Sequence, residues 1–134
     1  MRAGIRLIVA GLALSGAVLT GTAARADVRH AQVPEALRGS WAPAAEACPG
    51  SPAARLLVGA QTYQSPDAAC AVDWVEERGG TPGVIYSLHM RCGALGTAPA
   101  ATAATTNLIL WLKAPDDGAV GPSFERLVSY RRCP

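Results

Sequence analysis

The sequence predicts an all-β domain, a small antiparallel up-and-down barrel or half-barrel of about six to eight strands. Three observations carry that prediction. Between Cys70 and Cys92 two stretches alternate apolar and polar residues at period two, and Gly79-Gly80-Thr81-Pro82-Gly83, a connection able to reverse the chain, stands between them. No segment from Asp27 onward shows a sustained helical stripe. Four cysteines, at positions 48, 70, 92 and 133, are spread through a short chain, as in a domain stapled by two disulfides.

The chain opens on a segment of another kind. Arg2 and Arg6 give a positive start, Leu7 to Leu19 is almost wholly apolar, and Ala24-Arg25-Ala26 offers small residues for cleavage, so residues 1–26 read as a cleaved export signal. The apolar core is shorter than the ~20 residues that span a bilayer. No cysteine stands near the cleavage point to take a lipid anchor. Removal of the signal leaves residues 27–134, a single domain of 108 residues beginning at Asp27 and delivered to the periplasm or the medium. Three of the 12 basic residues leave with the signal while all 10 acidic ones stay, so the mature net charge is −1. No basic run interleaved with aromatics remains, which argues against a nucleic-acid partner.

The first element of the mature domain is Val33-Pro34-Glu35-Ala36-Leu37-Arg38-Gly39-Ser40-Trp41. Pro34 fixes φ for the first position of a helical turn and Glu35 suits the turn's N-terminus, so one turn of 3₁₀ or α-helix is expected. Gly39 then lets the chain reverse or approach another backbone, and Trp41 brings one of only three indoles, placed to plug something. After the loop Cys48-Pro49-Gly50-Ser51-Pro52, residues 54–60 form a short strand through Leu56, Leu57 and Val58, with Gln61 to Tyr63 continuing it past a bulge and Ser65-Pro66-Asp67 turning. Cys70 to Arg78 is a strand with Cys70, Val72 and Trp74 on one face and Ala71, Asp73, Val75 and Glu77 on the other.

Val84, Tyr86, Leu88, Met90 and Cys92 follow at strict period two, facing away from Ser87, His89 and Arg91. A hairpin centred near Thr81 pairs Trp74 with Leu88 and Val72 with Met90, joining two apolar faces into one side of a core. Residues 93–104, almost all Gly, Ala, Thr and Pro, read as a long loop or irregular edge. Thr105 to Lys113 is a strand with Leu108, Leu110 and Leu112 on one face and Ile109 and Trp111 on the other. Pro115-Asp116-Asp117-Gly118 is a turn, and Ser123 to Cys133 is the closing strand.

Four cysteines allow three pairings. The preferred one joins Cys48 to Cys70, across the segment that follows the Gly-x-Trp strand, and Cys92 to Cys133, tying the last strand to the middle of the sheet. Its competitor follows from the simplest hairpin register, which sets Cys70 opposite Cys92 and leaves Cys48 for Cys133. With no Cys-x-x-Cys and only His30 and His89 available, the pattern is not that of a zinc site, and no metal or other cofactor is expected.

Catalytic residue types are present without catalytic patterns. Ser87 and His89 share a strand face, but no placed carboxylate, nucleophile turn or oxyanion-hole signature accompanies them. Asp73, Glu76 and Glu77 read as solvated strand residues, and Asp116 and Asp117 as turn residues. The expectation is a protein that is not an enzyme.

The short turn, Gly39-x-Trp41 and an arginine from the last strand, Arg132 of Tyr130-Arg131-Arg132-Cys133, resemble the lipocalin and calycin pattern. The resemblance implies that Trp41 closes one end of a small antiparallel barrel with a guanidinium over its indole, a contact worth roughly 0.5 to 2 kcal/mol. Together with Cys48, Cys70 and the C-terminal Arg-Cys, the outline is similar to small exported bacterial calycin-type proteins, the metalloprotease inhibitors of that class among them. It implies a monomeric, protein-binding or inhibitor-type module whose N-terminal arm, Asp27 to Pro34, or a barrel-end loop occupies the cleft of a partner hydrolase. The alternatives are a carrier of a small apolar ligand, held in a cup lined by Val72, Trp74, Tyr86, Leu88, Met90 and Leu110, and a structural envelope protein. The modest size of the domain favours the first, because small barrels fill with their own side chains.

Overall fold

The computed structural model describes residues 27–134, and the export signal expected at residues 1–26 lies outside the described residues. The described residues form nine strands: β1 (Val28–His30), β2 (Gly39–Pro43), β3 (Leu56–Val58), β4 (Thr62–Gln64), β5 (Ala69–Gly79), β6 (Val84–Gly93), β7 (Thr105–Ala114), β8 (Asp117–Gly121) and β9 (Val128–Cys133). β2 to β9 close into an eight-stranded antiparallel barrel, running β5-β4-β3-β2-β9-β8-β7-β6, with the β5–β6 pairing completing the ring. β1 is an extra strand. It extends the β5 edge that β4 uses: β4 pairs with Ala69 to Ala71, and β1 pairs with Val75 to Glu77.

Three local features depart from the sequence reading. Residues 61–63 do not continue β3 past a bulge; the Gly59 amide donates to the Thr62 carbonyl at 2.9 Å, the chain reverses, and β4 returns beside β3. The turn expected over 115–118 is confined to Pro115 and Asp116, and β8 begins at Asp117. The closing strand starts only at Val128, because Phe124–Arg126 forms a 3₁₀ turn. β8 reads Asp-Gly-Ala-Val-Gly, too small and too short to show an alternation; its neighbours β7 and β9 impose the extended form by pairing with both of its edges.

The β5–β6 hairpin forms as expected, with one correction that alters a face. Val72 pairs with Met90, but the register then shifts, so that Trp74 pairs with His89 and Val75 with Leu88. Asp73 is the extra residue of a β-bulge. One inserted residue turns every later side chain to the opposite face. Val75 therefore takes the inner position, fully buried, and Trp74 moves to the outer wall.

The preferred disulfide pairing is also corrected: the bonds are Cys70–Cys92 and Cys48–Cys133. Cys70 and Cys92 stand directly opposite on β5 and β6, Cα atoms 4.0 Å apart, on the inner face they share with Val72 and Met90. Cys133 lies at the end of β9, where the loop after β2 folds back over the barrel wall. The Ala44 amide donates to the Ser129 carbonyl, the Arg131 guanidinium donates to the Ala44 carbonyl, and Cys48 is thereby brought to Cys133.

The interior is filled by the chain itself. Trp41, Leu37, Leu88, Leu110, Val33 and Val75 are all at most 1% exposed, and they belong to one cluster with Leu56, Val58, Tyr63, Val72, Tyr86, Met90 and Val120. Each large apolar side chain so buried contributes about 1.5–3 kcal/mol relative to leaving it in water. In a barrel of this size inward positions meet across the axis, and the apolar inner faces of β5, β6 and β7 pack against Trp41, Leu56, Val58, Tyr63 and Val120 and the stopper residues Val33 and Leu37.

Candidate functional site

One end of the barrel is stoppered. After β1 the chain crosses this end; the Val33 amide donates to the Ala60 carbonyl at 2.8 Å, and Val33 and the 3₁₀ turn Glu35–Leu37 insert Val33 and Leu37 into the core. The stopper is tied by side chains. The Trp41 indole N–H donates to the Leu37 carbonyl at 2.9 Å, and the Arg38 Nε donates to the Val33 carbonyl at 2.9 Å. Gly39, at φ 134°, allows the sharp passage from turn to strand that a side chain would strain. Its open face is covered by the aliphatic part of Arg132, whose guanidinium carbon lies 5.2 Å from the Trp41 ring centroid. Gly39, Trp41 and Arg132 are thus brought together at one barrel end. Register explains the meeting: Trp41 and Arg132 are direct partners on β2 and β9.

The six residues expected to line a cup divide. Val72, Tyr86, Leu88, Met90 and Leu110 are buried in the central cluster, each packed against other side chains of the chain. Trp74 is outside, as the bulge dictates. Its indole stacks on the His89 imidazole with centroids 3.4 Å apart, and the Arg29 guanidinium lies 3.8 Å from its ring centroid. Nε2 of His89 has no hydrogen-bond partner and stands 3.6 Å from a Glu76 carboxylate oxygen.

The N-terminal arm, expected as one candidate to enter a partner's cleft, is docked on the barrel. Residues 28–30 pair with β5, and the His30 Nε2 hydrogen-bonds Glu77 Oε2 at 2.6 Å. His30 and Val75 are register partners, so His30 and Glu77 lie on the inner side of the sheet, while Arg29 and Glu76 lie on the outer side. The alternation Val28-Arg29-His30 is too short to mark a strand by itself, and pairing with β5 makes it one. Further along the outer wall, Arg91 grips Asp73 through Nε and Nη2, the shortest contact being 2.7 Å. That hydrogen bond, aided by the guanidinium charge, holds the Asp73 carboxyl below its ordinary range. It also gives the bulged residue a partner.

Clefts of about 590, 490 and 390 Å³ mark the surface of the described residues, the second beside Val28, Glu77 and the 79–84 turn. One, about 590 Å³, lies between Leu57, Thr62, Gln64, Ala69 and Ala71 of β3–β5 and the loop residues 96–99; no charged side chain lines it. Another, about 390 Å³, lies beside the stopper between Ala36, the start of β6 and the β7–β8 turn. Among the described residues no group of three or more His, Cys, Asp or Glu is placed to hold a metal ion, and no helix is long and apolar enough to cross a membrane.

The architecture defines a class, a closed eight-stranded antiparallel barrel with an added N-terminal strand and two disulfides. Compared with known proteins, the chain matches no family model, no curated protein and no solved structure.

Proposed function

We propose that the chain is an exported, non-enzymatic binding module that acts as a monomer on a protein of the bacterial periplasm or medium, in outline like the small calycin-type barrels. The observation that carries this reading is the filled interior: the residues that would have lined a ligand cup, led by Leu88 at 0% and Leu110 at 1% exposed, are occupied with one another. Recognition then falls to the outside. The uncharged groove between Leu57, Ala69 and Ala71 and the loop over 96–99 offers an apolar surface edged by backbone, suited to an extended peptide segment. Two disulfides fit an oxidising compartment.

The inhibitor form of this reading has less support than the binding form. An arm paired to β5 and sealed by Val33 is not free to enter a cleft, and the cross-strand Cys70–Cys92 staple lessens the analogy with the metalloprotease inhibitors. The test is in-compartment cross-linking of the exported protein followed by binding measurements with the purified partner, repeated with residues 94–100 replaced by Gly and Ser. Saturable binding that the replacement abolishes supports the reading. Saturable uptake of an apolar molecule that perturbs Tyr86 and Leu88, with no protein partner, overturns it in favour of a carrier.

A further inference from the structure

We propose that the free edge of β7 over residues 105–108 is a second protein-binding site, which takes an extended, uncharged segment of a partner protein as an added strand. β6 pairs with β7 from Leu112 back to Thr105, whereas β8 pairs with it only as far as Ile109, the partner of Gly121. The reason β8 stops is local. Pro122 follows Gly121 and has no N–H to donate. The 3₁₀ turn Phe124–Arg126 then folds back so closely that a Cβ on Gly121 would collide with the Arg126 carbonyl. The lane beside residues 105–108 is thus left without a strand among the described residues, and Thr105, Thr106 and Asn107 are exposed.

Register fixes which backbone groups face that lane. The Leu112 carbonyl points to the β6 side, where a Cβ on Gly83 would meet it, and the Trp111 carbonyl points to the β8 side, 3.5 Å from a Cβ on Gly118. The β6–β7 register is unbroken from there to Thr105, so the backbone groups alternate: those of Leu108 and Thr106 point to β6, and the N–H and C=O of Asn107 and Thr105 point into the lane. Among the described residues no loop backbone pairs with them. Strand edges are usually guarded by charge, proline or a bulge, and residues 105–108 carry none of these. Arg91, the partner of Thr105 on β6, is held by Asp73. Donors and acceptors in one row are matched by another extended backbone, which makes the occupant a strand. Its side chains would alternate between an inner row beside Thr106 and Leu108 and an outer row beside Thr105 and Asn107. Val128, inward by its pairing with Val120 and yet 54% exposed, adds apolar surface at this end of the barrel. The segment that fits has small apolar residues alternating with uncharged polar ones.

None of residues 105–108 lines the groove of Leu57, Ala69 and Ala71, so the two readings fail independently. The experiment is an NMR titration of the disulfide-intact mature protein with an end-blocked peptide, six residues alternating Val and Thr with a Lys at each end for solubility. The same peptide N-methylated at every Val and Thr is the control. The expected result is saturable binding that shifts the amides of Thr105 and Asn107 and slows their hydrogen exchange. The methylated control, with no N–H to offer, should bind at least about tenfold more weakly. Asn107→Pro removes an N–H that faces the lane and no ladder bond to β6, and should weaken the unmethylated peptide about five- to tenfold. Equal binding of the two peptides to the wild-type protein overturns the proposal whether or not the proline variant folds. Unchanged affinity in a folded Asn107→Pro, shifts confined to residues 57–71 and 96–99, or no saturation at the solubility limit overturns it as well. Protection of Thr105 and Asn107 that rises with protein concentration in the absence of peptide overturns it in favour of pairing with a second copy of the chain.

Discussion

The indole of Trp74 lies face to face with the imidazole of His89, with ring planes 9° from parallel, and the Arg29 guanidinium covers the indole from the β1 side. The three layers come from β6, β5 and β1, so a stack on the outer wall links the added strand to the barrel. Stacking and the cation contact together are worth about 1–2 kcal/mol. Trp74→Ala is expected to lower stability by at least that amount and to speed amide exchange at Val28 to His30 far more than in the rest of the sheet. Equal protection of β1 in wild type and variant would show that the strand is held without the stack.

A non-reducing proteolytic map read by mass spectrometry should show Cys48 linked to Cys133, Cys70 linked to Cys92, and Asp27 as the N-terminus of the exported protein. The first two outcomes check the fold and the third checks the export signal. A Cys48–Cys70 peptide would contradict the β5–β6 register directly.

The two bonds should differ in what their removal costs. Cys48–Cys133 spans 85 residues of sequence and Cys70–Cys92 spans 22. By loop-closure entropy they restrict the unfolded chain by about 4–5 and about 3 kcal/mol respectively. Paired Cys→Ala variants measured by urea unfolding should therefore rank the terminal bond as the costlier one to lose. The reverse order would mean that the buried packing of the Cys70–Cys92 bond outweighs the chain-entropy difference.

Alkaline pH should loosen the core through Tyr63. Burial, with a smaller push from Tyr130, raises its phenol from 10.0 to about 12. The folded state then keeps its proton where the unfolded chain has lost it. The contribution is fully present below pH ~10 and is lost as pH rises towards ~12, about 2–3 kcal/mol over the whole window. Tyr86 and Tyr130 shift in the same direction, each chiefly through burial. Stability measured from neutral pH to about pH 11 should fall steeply in wild type and less steeply in Tyr63→Phe. Parallel curves would remove Tyr63 as the cause.

Gly118 gives the Trp41 ring its room. A Cβ built there would stand 3.2 Å from Trp41 Cζ3, with the Trp111 carbonyl at 3.5 Å. Gly118→Val is expected to cost about 1–3 kcal/mol, the usual range for overpacking a filled core. Its Trp41 fluorescence should also change as the indole is displaced from the Leu37 carbonyl. A variant of wild-type stability would mean that β8 moves freely relative to β2.

Much of this barrel is legible in the residue order. The period-two runs of β5, β6 and β7, the reversal at 79–83 and the turn before Trp41 depend on local chemistry, and each stands where the pattern places it. Gly39, Trp41 and Arg132 are recognisable as a group by their motif, although their contact requires β9 to return beside β2. The three-residue strands β1 and β4 and the small-residue strand β8 carry too few side chains to show a period; pairing with neighbours distant in sequence makes them strands. The face of Trp74 lies beyond local pattern, and for the four cysteines local pattern offers two pairings, of which the less favoured, from the simplest hairpin register, is the one formed. A single bulged residue, Asp73, decides the first, because side-chain direction depends on the count of residues between paired positions. Closure of the sheet decides the second: it sets Cys70 against Cys92 across one hairpin and leaves Cys48 and Cys133 to meet where a returning loop crosses the last strand. The residue order determines where the long strands and their turns fall, whereas register and closure, being properties of paired strands, exist only in the folded chain and decide the short strands, the face after the bulge and the disulfides.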